Sequence, residues 1–126
     1  MKIVALIARL LLGLIFFVFG LNGFLHFIKA PMPTGTAGQF IGALFQSHYL
    51  YVVSGLQVAG GALLLVGRYV PLGLVLLGPV IVNILLFHVL MERTGLPLAL
   101  VVAILWFIVA LRNRKYLSGI FVAKSN

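Results

Sequence analysis

The sequence predicts an all-α membrane protein: four transmembrane helices in an antiparallel bundle, with a short interfacial helix in the first extracytoplasmic loop. Three observations carry this. Hydrophobic residues make up 63% of the 126 and charged residues only 8%, whereas a soluble domain holds about a quarter charged residues. Four apolar runs approach or exceed the ~20 residues that cross a hydrocarbon layer of ~30 Å. The nine lysines and arginines fall almost entirely between or beyond those runs, as charges that set topology do. The formal charge of +8 therefore does not call for nucleic acid, and no basic stripe with interleaved aromatics supports it.

A chain of this length forms one domain over residues 1–126. The expected spans are about 3–27, 49–66, 70–91 and 96–111, with the interfacial helix at about 37–47. The first run carries Arg9 and has no small-residue cleavage site behind it, so it reads as a retained span rather than a signal peptide. Gly13, Gly20 and Gly23 share one of its faces, where small residues let a neighbouring backbone approach.

The following connection is the longest in the chain. Pro31, Pro33, Gly35 and Gly38 should break any helix early in it. Phe40, Ile41, Leu44 and Phe45 then recur at helical spacing, as in an amphipathic helix lying in the membrane interface. In the second span Tyr49 and Tyr51 are interfacial anchors, and Gly55 with Ala59 makes a small-xxx-small pair. Gly67-Arg68-Tyr69 turns the chain into the third span, where Pro79 removes one backbone hydrogen bond and should kink the helix. The fourth span is short, ~24 Å if straight. Trp106, Arg112, Arg114 and Lys115 should sit near an interface, and the tail behind them should be polar and frayed.

Four spans put both termini on one side. Lys2, Arg9, Arg68, Arg112, Arg114, Lys115 and Lys124 share that side, against Lys29 and Arg93 on the other. This bias places both termini in the cytoplasm.

That orientation gathers polar residues at the outer ends of three spans. Asn22 lies one turn inward of His26, and Glu92 one turn outward of His88. Asn83 and Gln57 lie deeper on their own helices, at comparable depth. Polar and ionisable groups inside a membrane are costly and mark function by default. Asn22, His26, Gln57, Asn83, His88 and Glu92 are therefore the candidate ligand-binding residues, with Glu92 orienting or charging the His88 imidazole. If they converge they line a small polar cavity, suited to a quinone headgroup or a lipid fragment. The same residues also serve as helix-packing glue, with terminal histidines at headgroup level and Arg9 snorkelling to the cytoplasmic side. The chain has no cysteine, which excludes thiolate catalysis and cysteine-ligated metal clusters. Haem between His26 and His88 has no nameable supporting shell. Zinc lacks three ligands that can be lined up. No catalytic or metal residue is assigned.

The stretches ARLLLGLIFFVFGLNGFLHF and GLQVAGGALLLVGRYVPLGLVLLGPVIVNILLFH, with an apolar fourth segment, resemble the DoxX family of small bacterial four-helix membrane proteins. The resemblance covers nearly the whole chain. It rests on Arg9, Gly20 and Gly23, Gly60-Gly61 before Gly67-Arg68, and Asn83 with His88; Gln57 stands where many members carry Glu. It implies association with membrane redox systems, quinone-linked ones among them, or with oxidative stress.

Two readings follow. One is an accessory or ligand-binding subunit in the lipid bilayer, not an enzyme by itself, with a quinone or lipid ligand and a membrane or extracytoplasmic redox partner. The other is a structural or interaction protein without ligand, able to self-associate through its glycine-rich helix faces. A self-sufficient oxidoreductase fits least well without cysteine or a cofactor motif, and a transport pathway is hard to build from four helices without oligomerisation.

Overall fold

The computed structural model describes residues 2–28 and 32–123, and among these the chain is helical with no strand. Lys29, Pro31 and Lys124, which enter the reading above, lie outside the described residues. The helices are α1 (Lys2–Leu25), α2 (Gly35–Gln46), α3 (Tyr49–Val66), α4 (Val70–Leu90), α5 (Leu96–Arg112) and the single turn α6 (Arg114–Leu117). Among the described residues, four helical stretches are long and apolar enough to cross a membrane: α1, α3, α4, and α5 together with the 3₁₀ turn Arg93–Gly95 that leads into it. That turn extends the last stretch to 20 residues, beyond the short run read from the sequence.

The bundle is built on glycine contacts. An added Cβ at Gly61 would lie 2.6 Å from the Phe17 amide nitrogen and 2.8 Å from the Gly13 carbonyl oxygen. One at Gly20 would meet Val58 at 2.8 Å. The backbones of α1 and α3 therefore touch, which only small residues allow. Gly60 against Leu77, and Gly73 against the Gly60 carbonyl, repeat the arrangement between α3 and α4. Gly55 is different: nothing lies within 4 Å of its missing side chain, and Ala59 is exposed. This predicted contact pair faces away from the bundle.

Leu12, Leu64, Leu74, Leu77 and Val109 are fully buried, joined by Phe16 and Val102. Around them α1, α4 and α5 expose large side chains, such as Ile7, Leu14, Val82, Leu86, Ile104 and Phe107. So broad an apolar exterior suits lipid, not water.

Several local expectations change. The second helix begins at Gly35, so Gly35 and Gly38 belong to it. Gly38 is accommodated because the Pro33 carbonyl fills the space a side chain would need. Pro79 stands inside α4 as expected, and the helix is continuous across it. Trp106 turns inward, donating from Nε1 to the Leu74 carbonyl of α4 at 3.0 Å. The tail folds: Asn113 ends α5 by donating its side-chain amide to the Val109 carbonyl at 2.9 Å, and Leu117 of α6 packs on the core. Arg9 does not merely snorkel, since its guanidinium donates to the Leu64 carbonyl in the last turn of α3.

Candidate functional cavity

A cavity of about 780 Å³ opens between α1, α3, α4 and α5 at the end of the bundle where α1 terminates. Asn22, His26, Gln57 and His88 all line it. Its walls are mainly apolar, with Phe16, Phe19, Phe45, Ile84 and Val102 among them. It is therefore not the polar cavity expected from the sequence. It is an apolar chamber with a few polar groups, the usual composition of a small-molecule site.

Each polar group has its own local reason to be there. α1 ends at Leu25 because His26 takes a left-handed conformation, φ 54, with its amide bonded to the Asn22 carbonyl at 2.8 Å. The Asn22 side-chain oxygen accepts from the Ile28 amide at 2.6 Å, which ties down the chain leaving the helix. His26 is exposed at the cavity rim, its ring 6.1 Å from that of Phe45 on α2. Gln57 is half-buried on α3.

His88 is the most constrained. Its Nδ1 lies 2.9 Å from the backbone carbonyl oxygen of Glu92. A carbonyl only accepts, so Nδ1 carries the proton in this bond. In the neutral ring that leaves Nε2 as an acceptor, fixed by a backbone group. The ring also lies edge-on to Phe87 at 5.2 Å and fills the space where a Gly95 side chain would stand.

Two of the six candidates do not join the others. Asn83 is exposed and donates its amide to the Pro79 carbonyl at 2.8 Å, one turn back on its own helix. It lies five residues from His88, so at ~100° per residue the two point to well-separated directions. The Glu92 carboxylate accepts from the Thr94 hydroxyl at 2.8 Å and caps the 3₁₀ turn. Glu92 thus acts on His88 through its main chain rather than its charge, because α4 has already ended at Leu90.

Ser54 is a wall residue the sequence reading passed over. It is 3% exposed, lines the cavity and packs against Gly23, whose missing side chain makes room for the hydroxyl. Its spacing of three from Gln57 was the available signal. Among the described residues no three His, Cys, Asp or Glu side chains come together as a metal-binding group.

A family model described as DoxX matches residues 4–90. No curated protein and no solved structure matches the chain.

Proposed function

The chain belongs to the DoxX family, and we propose that it is an accessory, ligand-binding subunit of a quinone-linked redox or oxidative-stress system in the inner membrane. Its four spans form an antiparallel bundle with both termini in the cytoplasm, and α2 lies in the outer interface. The cavity then opens toward the outer face and holds the ring headgroup of an amphipathic molecule, a quinone or a lipid. His88 accepts a hydrogen bond through Nε2 from a headgroup hydroxyl, that of a quinone's reduced quinol form or of a lipid. Gln57, Ser54 and His26 offer further polar contacts, and Phe16 and Phe19 flank the ring.

The observation that carries this reading is the convergence of Asn22, Ser54, Gln57 and His88, from three helices, on one mainly apolar chamber of about 780 Å³. That volume lies within the ~300–1,000 Å³ typical of small-molecule sites. The Asn83 and Asn22 side-chain bonds both fall within their own stretch of chain, so neither joins two helices as the packing-glue reading requires. Neither bond accounts for His88 or Gln57 beside an apolar chamber.

The test is mass spectrometry of small molecules extracted from protein purified in mild detergent. A defined quinone or lipid should co-purify with the natural chain and be lost from His88→Ala. It should also be reduced in Gly95→Ala, whose methyl displaces the imidazole without removing it. Both variants should keep their helical content. Bulk lipid alone, unchanged in both, would leave the interaction reading in its place.

A further inference from the structure

The opposite end of the bundle holds a second concavity, of about 280 Å³, between the start of α1, the start of α4 and the end of α5. Lys2, Arg9 and Arg112 line it above apolar walls that include Ala5, Val70 and Val109. It shares no residue with the first cavity. Flanking charges that only set topology have no need to face a common hollow.

Arg9 shows how the charge is held there. Gly67 ends α3 in the left-handed region, φ 74, and its missing side chain leaves the space that the guanidinium occupies. From there Arg9 donates to the Leu64 carbonyl, and the negative end of the α3 dipole offsets part of its charge. A guanidinium has five N–H donors, so others remain for a ligand. Lys2 and Arg112 are exposed on either side. The chain's one acidic side chain, Glu92, is bonded to Thr94 at the far end of α4 and cannot neutralise them.

The geometry points to this hollow as a site for a phosphate-bearing anion, the phosphodiester headgroup of an anionic phospholipid being the form present in a membrane. Three cations supply the charge and the donors, and the apolar floor accommodates the start of an acyl chain. Basic pockets between membrane helices take up anionic headgroups in this way. The site stands whether or not the first cavity binds a ligand.

Native mass spectrometry of the full chain, released from mixed phosphatidylcholine and phosphatidylglycerol micelles, tests the lipid form. The natural protein should retain phosphatidylglycerol preferentially, and Lys2→Gln/Arg112→Gln should lose that preference by roughly thirtyfold, as expected for two such charges. Lys115→Gln should behave like the natural protein, because Lys115 is basic and near the same end but outside the hollow. A second arm compares thermal unfolding in lipid-free detergent with inorganic phosphate or chloride at equal ionic strength. Stabilisation by phosphate that the double variant lacks, without a lipid preference, would assign the same site to free phosphate. The proposal is overturned if neither probe discriminates, or if Lys115→Gln loses as much as the double variant.

Discussion

His26 adopts φ 54, a region that costs a non-glycine residue about 1–2 kcal/mol. Glycine is the common solution at this position after a helix, because it has no Cβ to strain. An imidazole held there at the rim of a cavity is strain of the sort that collects at functional sites. Replacing it with glycine removes the strain but adds about 0.5–1 kcal/mol of unfolded-state entropy to be overcome. His26→Gly should therefore be more stable by roughly 0.5 kcal/mol, read from reversible unfolding in detergent. His26→Ala, which removes the ring but keeps a Cβ, should not share the gain. Equal stability for the two variants would show that the backbone conformation is not the cause. His48 and Tyr69 also have positive φ, at the turns entering α3 and α4, where neither lines a cavity.

Among the helices, the α1–α3 contact separates two glycines that look alike in sequence. Gly61 is buried with backbone atoms of Phe17 and Gly13 inside normal contact distance of an added Cβ. Backbone in a packed helix pair cannot swing aside as a long side chain can. Gly61→Ala should therefore destabilise by about 1–3 kcal/mol, as overpacking does. Gly55 lies six residues earlier with open space around it. Gly55→Ala should be neutral or slightly stabilising, since alanine is favoured over glycine within a helix by about 0.8–1 kcal/mol. Thermal unfolding of the two variants side by side decides this, and similar losses would refute the assigned helix rotation. Gly13, Gly20 and Gly23, read as one face of α1, do meet α3. Gly55 and Ala59 satisfy the same spacing rule, yet Gly55 has open space around it and Ala59 is exposed.

For the molecule as a whole, the four apolar helices and the exposed apolar exterior support residence in a membrane. The proposed orientation rests on seven basic residues against two. It predicts that a reporter fused to the C-terminus will be active in the cytoplasm and silent in the periplasm. The reverse would turn the His26 and His88 cavity toward the cytoplasm and the basic hollow outward. The two hollows sit at opposite ends because their residues come from opposite ends of the same helices. Asn22 and Lys2 are both on α1, while Ala99 and Arg112 are both on α5.

Local chemistry alone determined that this chain makes four long apolar helices, where most of them stop, and that their ends carry histidines and basic groups. Glycine, proline and unbroken hydropathy act within a few residues, so the order of residues suffices to read them. Which way each helix turns about its axis was decided only in three dimensions. Apolar residues lie on every side of the helix at Val70–Leu90, so no stripe in its sequence marks the face that meets its neighbours. Packing of Gly60 on Leu77 and of Trp106 on the Leu74 carbonyl sets that rotation. It turns His88 into the cavity and leaves Asn83 outside, bonded to its own helix. For the same reason Ser54 emerged only when α3 met Gly23, and Glu92 proved to hold His88 by its carbonyl rather than its charge.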